Sequence, residues 1–426
     1  MLARHSETTV ETFSSEKNSK MVVMKFGGTS VGNLDRMRAS ADLIKREVMA
    51  GNKVAVVVSA MAGMTNELIG RCLGLSKTPD AQEYDTVLSS GEQISSGLLA
   101  VALQNQGVKA RSFQGWQIPI RVLHRVNGTV SFMVESEKLM QSVEMGEVPV
   151  ISGFQGIDTY GRIATLGRGG SDATAVSVAA SLKADQCDIY TDVEGVYSGD
   201  PRVIEKAQLL SEITFEEMLE FSKNGAKVLQ PLSVSMAMAH NVPVRVLSAF
   251  VPLFEGAGTK VISGSLDLER VIGVSRDLDK AAVILLDCDP SEEVQKVVLD
   301  ELRKKGIMIE ASAVGVSTNN NSSAWSLFMS KGDALVTAKF ICCFSEVLAY
   351  SSVEIETGLS KVTVIGRGLL KKQIFLDLFL KSLSESRIDF FTLLREDLKI
   401  FAFTPQAVTS ELLSCLHHNY GLDKKA

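Results

Sequence analysis

At 426 residues, with 45% hydrophobic and 22% charged side chains, the chain has ordinary globular composition and room for two or three domains. A formal net charge of −6 gives nucleic-acid binding no electrostatic support. The longest apolar run, 54–64, is too short to span a bilayer, and residues 1–20 lack the apolar core of a signal peptide.

Residues 1–20 carry Glu7, Glu11 and Glu16, which argues against a transit peptide, and read as a disordered polar tail of a cytoplasmic protein. The apolar run from Met21 to Met24 then predicts a buried strand over 21–26. Lys25-Phe26-Gly27-Gly28-Thr29-Ser30-Val31-Gly32 follows, and a helix over 33–50 opens near Asn33. A strand, a Gly-Gly turn and a helix N-terminus present backbone N–H groups to an anion, and Lys25 adds a full charge. That combination suits a polyphosphate. Gly27 and Gly32 have P-loop spacing, but Asn33 stands where that motif needs Lys. His124-Arg125-Val126 is not a protein-kinase catalytic loop, and the chain has no Asp-Phe-Gly.

Further strands are predicted over 53–60, 148–152, 187–192 and 243–248, with helices over 91–106, 134–145, 172–183 and 214–224. This alternation predicts an α/β layer with a largely parallel, buried sheet. Ser59 and Thr65 flank the second strand exit, and Ser90-Gly91-Glu92 reads as opening a helix. Gly167-Arg168-Gly169-Gly170-Ser171-Asp172 precedes an Ala-rich helix, with Ser171 or Asp172 as the expected N-cap. There Arg168 can clamp a carboxylate. Thr191-Asp192 ends a strand, Tyr197 follows, and Asp200-Pro201-Arg202 makes a turn. Ligands of open α/β sheets bind beyond such strand ends. Lys227, in Gly225-Ala226-Lys227-Val228-Leu229, is another cation beside a glycine. Each segment alone can also be read as a turn with solvated side chains. Their weight comes from co-occurrence at one strand-end face.

The pattern breaks at Pro252, Gly256, Gly258 and Gly264, so a domain boundary is placed there. Beyond it, strand 281–287, helix 291–304, strand-like segments around a mobile polar loop at 317–323, strand 361–366, helix 370–385, strands 388–394 and 398–403 and helix 406–419 read as two small βαβ-type α+β units. Gly366-Arg367-Gly368 reads as a strand-ending turn. The six cysteines form no Cys-x-x-Cys pair and read as reduced thiols. The histidines lack metal-ligand spacing, and adjacent His417 and His418 on a helix point about 100° apart, so no protein-bound metal is expected.

The ordered set Lys25-Phe-Gly-Gly-Thr-Ser-Val, Gly167-Arg-Gly-Gly-Ser-Asp172, Thr191-Asp-Val and Gly225-Ala-Lys-Val-Leu resembles aspartate kinase, of the amino acid kinase superfamily. The match covers about 21–265, and 268–426 resembles more loosely the family's tandem ACT regulatory modules. The resemblance implies an amino acid kinase catalytic domain, MgATP as phosphoryl donor and L-aspartate as acceptor. The product would be 4-phospho-L-aspartate, at the first step toward lysine through diaminopimelate, threonine and methionine.

By motif position, Lys25, Gly27 and Gly28 would hold the ATP phosphates, with Ser59 nearby. Thr191, Asp192, Tyr197, Arg202 and Lys227 would line the nucleotide site. Thr65, Glu92, Phe154, Arg168, Ser171 and Asp172 would bind aspartate, with Glu92 at its α-ammonium. Lys25, Asp192 and Lys227 would be catalytic, Asp192 positioning Lys25. The acceptor carboxylate, with a reference pKa of ~3.9, needs no general base. Lys25 and Lys227 would offset charge on the transferred group.

Gln230 stands where many relatives have His, and Ala311–Ser317 and Leu394–Lys399 depart from the usual effector-loop pattern. No homoserine dehydrogenase segment follows, so a monofunctional enzyme is expected. An amino-acid effector, lysine first, and a homodimer or homotetramer through the ACT-like modules are further expectations. Two alternatives stay open: a kinase of another acidic substrate such as glutamate, and a catalytically silent amino-acid sensor.

Overall fold

The computed structural model describes residues 19–126, 129–252, 256–264, 269–316 and 323–424. Nearly all of the expected tail 1–20, the loop 317–323 except its last residue, and the junction 265–268 lie outside the described residues. The first part runs β1 (Met21–Phe26), α1 (Leu34–Met49), β2 (Lys53–Val58), α2 (Met64–Leu75), α3 (Ala81–Asn105), β3 (Ala110–Phe113), β4 (Ile120–Val126), β5 (Thr129–Val134), α4 (Glu137–Glu144) and β6 (Val148–Ser152). It continues with β7 (Gln155–Ile157), β8 (Ile163–Thr165), α5 (Gly170–Ser181), β9 (Gln186–Thr191), β10 (Glu212–Thr214), α6 (Phe215–Lys223), α7 (Pro231–His240), β11 (Val244–Ser248) and β12 (Thr259–Ile262).

Eight strands form one sheet in the order β10-β12-β11-β9-β1-β2-β6-β3, parallel except where β12 meets β11. Its central strands are buried on both faces, which is why they read as unbroken apolar runs. Val22, Met24 and Phe26 face the core shared with α1 and α3. Val23 turns to the opposite core, which holds α5. Period-2 alternation places Lys25 on that second face. The α5 helix is built from small residues and buried along most of its length. A smaller sheet, β5-β4-β7-β8, stands beside the large one.

The second part comprises β13 (Val271–Leu286), α8 (Glu292–Lys304), β14 (Ala311–Val316), β15 (Ser323–Ser330), α9 (Lys331–Ile341), α10 (Ser345–Leu348), β16 (Ser352–Gly366), α11 (Gln373–Glu385), β17 (Thr392–Arg395), β18 (Lys399–Pro405) and α12 (Thr409–Asn419). Its six strands make one antiparallel sheet, β14-β15-β13-β16-β18-β17. Two α+β units stand side by side, as expected. The first takes the later half of β13, α8, β14, β15, α9 and the start of β16. The second takes the end of β16, α11, β17, β18 and α12, and borrows the start of β13 as its fourth strand.

Several sequence expectations shift. Helix 91–106 begins ten residues early, at Ala81, where Asp80 caps it by accepting from the N–H groups of Gln82 and Glu83. Ser90-Gly91-Glu92 therefore lies inside α3 rather than opening it. The strands expected at 281–287 and 361–366 are the ends of much longer ones. Their charged residues are neutralised in place: Lys280 pairs with Asp277 at 2.7 Å, and Lys361 with Glu310 at 2.9 Å. No helix among the described residues is long and apolar enough to cross a membrane.

Candidate active site

Four neighbouring parallel strands, β9, β1, β2 and β6, end together, and the loops after them converge. The Gly27 N–H donates to the Tyr190 carbonyl at 3.0 Å, and Ser59 N–H to that of Phe26 at 3.1 Å. Ala62 N–H donates to the Gly28 carbonyl at 3.1 Å, so the loops after β1 and β2 are stitched together. A Cβ on Gly28 would lie 2.8 Å from the Ala60 carbonyl oxygen, which explains the glycine there. Asn33 caps α1, its side chain accepting from Arg36 N–H. The Gly-Gly turn thus leads to a helix N-terminus, as the sequence predicts.

Lys25 is buried at the end of β1, and its ammonium meets the Asp172 carboxylate at 2.5 Å. The ammonium is therefore paired with Asp172 and not with Asp192, the positioning partner expected from the motifs. The Lys25 side chain turns toward α5, whereas Asp192 lies past the end of β9, exposed, accepting from the Thr191 hydroxyl at 3.1 Å. The N-cap of α5 is Gly169 at φ 71°, not Ser171 or Asp172, because the helix starts earlier, at Gly170. Asp172 therefore sits in the first turn, where the helix dipole favours a carboxylate.

Glu92 projects from α3 into the same region, buried beside the second loop. Its Oε1 accepts from Ala60 N–H at 3.0 Å, and its Oε2 is buried without a hydrogen-bond partner among the described residues. Burial raises its pKa to about 7, against the lowering effect of the Ala60 N–H. A buried carboxylate with one open oxygen can meet a cationic group.

Arg168 is exposed on the loop before α5 and makes no ion pair among the described residues, which leaves its guanidinium free for a carboxylate. Ser171 is buried against Gly153. Phe154, at φ 68°, sets its ring near Gly170. Thr65 is half-buried in the first turn of α2. The opposite flank carries Thr191, Asp192 and Tyr197, then Arg202, which pairs with Asp200 at 2.9 Å. Lys227 is exposed in the loop between α6 and α7, and the Gln230 side chain covers Gly169. So Gln230 links the Lys227 loop to the Arg168 loop. Nothing in the local sequence signals that contact.

The profile of the amino acid kinase family matches residues 20–248. An aspartate kinase of Pseudomonas putida is 33% identical over 409 residues, a match covering 95% of this chain and 98% of that one. An aspartokinase of Rickettsia prowazekii is 46% identical over 239 residues, 55% of this chain, and the match spans about half, 54%, of that relative's length. Escherichia coli aspartokinase III, solved with aspartate and ADP in an R-state, is 26% identical with a TM-score of 0.78, covering 94% of this chain and 99% of that one. The same enzyme solved with lysine and aspartate, in a T-state, gives 0.71 at the same identity and coverage.

Proposed function

The chain belongs to the aspartate kinase family, and from that membership we propose that it transfers the γ-phosphoryl group of MgATP to the β-carboxylate of L-aspartate. An oxygen of that carboxylate attacks the γ-phosphorus, the bond to the β,γ-bridging oxygen breaks, and ADP leaves. The products are 4-phospho-L-aspartate and ADP. The observation that carries the reading is the buried Lys25–Asp172 pair between two glycine loops, with the exposed Arg168, which has no ion pair among the described residues, beside one of them.

In this reading residues 21–265 carry the chemistry. Lys25, Gly27, Gly28 and Ser59 hold the phosphates, and Mg²⁺ arrives with ATP as part of the substrate. Thr191, Asp192, Tyr197, Arg202 and Lys227 line the nucleotide. Thr65, Glu92, Phe154, Arg168 and Ser171 hold aspartate. Asp172 keeps the Lys25 ammonium in place until phosphate oxygens share it. Both reactants are anions, so the protein's task is charge neutralisation and alignment.

Glu92 makes this testable by pH. Its carboxylate attracts the substrate ammonium only when ionised, and in the free enzyme it takes up a proton below about pH 7. The aspartate KM should therefore rise as pH falls through about 7, with the ATP KM little affected. Glu92→Gln should raise the aspartate KM at pH 8 and flatten that dependence. A pH profile unchanged by the substitution would remove Glu92 from the substrate site.

Residues 268–426 are assigned to regulation. Escherichia coli aspartokinase III was solved with lysine, and we extend that effector to this chain, held between ACT-like units of a homodimer or homotetramer. Inhibition requires lysine to prefer the inactive arrangement. Calorimetry of the full chain should show lysine binding and a weakened aspartate response. Silence toward lysine, threonine and methionine alike would make the module structural.

A further inference from the structure

The two segments assigned to the nucleotide are held from the C-terminal part, through consecutive residues of one strand. Val274 N–H, in β13, donates to the Ser198 carbonyl at 2.8 Å. The next residue, Ser275, donates its hydroxyl to the Asn224 carbonyl at 2.7 Å. Ser198 directly follows Tyr197, and Asn224 opens the loop to Lys227. At Gly225, φ 104°, a Cβ would fall 2.0 Å from the Arg276 carbonyl oxygen. That backbone passes against β13 with no space for a side chain.

The same segment is gripped from α12. His417, buried in that helix, places Nε2 2.9 Å from the Ser198 hydroxyl, which also accepts from Gln208 N–H at 2.9 Å. Burial keeps the imidazole below its ordinary pKa, so it remains neutral near pH 7. Its neighbour His418 points away and meets Asp423 at the surface. Four residues after Asp200, Ile204 is packed into the core of the second ACT-like unit with Val274, Leu412, Leu413 and Leu416. The segment carrying Tyr197 and Arg202 is thus built partly into the C-terminal part.

We infer that Ser275 and His417 are positioning residues for the nucleotide side of the site, so that ATP affinity is set from β13 and α12 while aspartate affinity is not. The aspartate side, by contrast, rests on α2, α3, α5 and the loops after β2 and β6. A displacement of the C-terminal sheet moves the Tyr197 and Lys227 segments together, because adjacent β13 residues hold them. This inference rests on the nucleotide assignment of those segments made above.

The test compares His417→Leu, Ser198→Ala, their double variant and Ser275→Ala in the full chain, with Arg202→Ala and Lys227→Ala alongside. Ser275→Ala removes one hydroxyl and tests the proposal should His417→Leu fold poorly. Loss of one such hydrogen bond should raise the ATP KM and the ADP Kd about five- to ten-fold, with the aspartate KM within about two-fold. The double variant should be no worse than Ser198→Ala, since the hydroxyl lost there carries both the His417 and the Gln208 N–H contacts and the histidine change then removes nothing further. Equal rises in both KM values, or a lower Tm with both KM values unchanged, would reduce the two residues to a structural role and overturn the inference. If Arg202→Ala and Lys227→Ala raise the ATP KM while His417→Leu and Ser275→Ala do not, the inference alone fails. If all leave it unchanged, the nucleotide assignment falls and takes the inference with it.

Discussion

Replacing Lys25 by methionine should lower kcat by about 10²–10³-fold while leaving aspartate affinity nearly intact, because the ammonium acts on charge that spreads during transfer. The same change leaves Asp172 buried without its partner, which costs about 3–5 kcal/mol and should lower Tm. The two consequences separate in the double variant Lys25→Met/Asp172→Asn. Removing both charges should restore most of the lost Tm and none of the lost kcat. Single-turnover rates and calorimetric unfolding measure both. A kcat near wild type in Lys25→Met would take Lys25 out of the mechanism. A kcat restored in the double variant would show that the first loss was structural.

Arg168→Ala should raise the aspartate KM by about 10–150-fold, the equivalent of one charged hydrogen-bonded contact worth about 1.5–3 kcal/mol. Arg168 is exposed and unpaired among the described residues, so Tm should stay nearly constant. Some loss of kcat is expected as well, since a substrate without its clamp is poorly aligned. Arg168→Lys keeps the charge but not the planar fork, and should recover only part of the affinity. Saturation by aspartate at normal concentrations in Arg168→Ala would refute the assignment.

The α/β layer was legible because parallel strands buried on both faces need apolar residues at every position, as in β1 and β2. The ligand loops were legible because their signal is local: glycines and a cation within a few residues of a strand end. What escaped lacked that form. The first half of α3 is polar, and its start is marked only by Asp80. α2 contains Gly70 and Gly74, and α7 begins with Pro231 and is almost wholly small or apolar, so neither shows a clear helical period. The middle of β13 holds Arg276, Asp277, Asp279 and Lys280, charges that hide the strand from a hydrophobic pattern and that fit it because Asp277 and Glu310 neutralise the buried lysine.

Pairings between distant segments were the least legible part of the site. Lys25 and Asp172 stood in two recognised motifs, yet only the alternation of β1 and the early start of α5 bring them together. Gln230 over Gly169 and His417 against Ser198 carry no local signal at all.

Phosphoryl transfer to the β-carboxylate of aspartate leaves two products that can be counted against each other. The most direct measurement follows ADP release by the full chain with MgATP and either aspartate or glutamate, with hydroxylamine added to trap the acyl phosphate as a hydroxamate. Aspartate-dependent ADP release matched by an equal amount of hydroxamate is expected, with far slower turnover on glutamate. Equal turnover with glutamate would contradict aspartate as the acceptor, and no acceptor-dependent ADP in a folded, lysine-binding chain would make the protein a sensor.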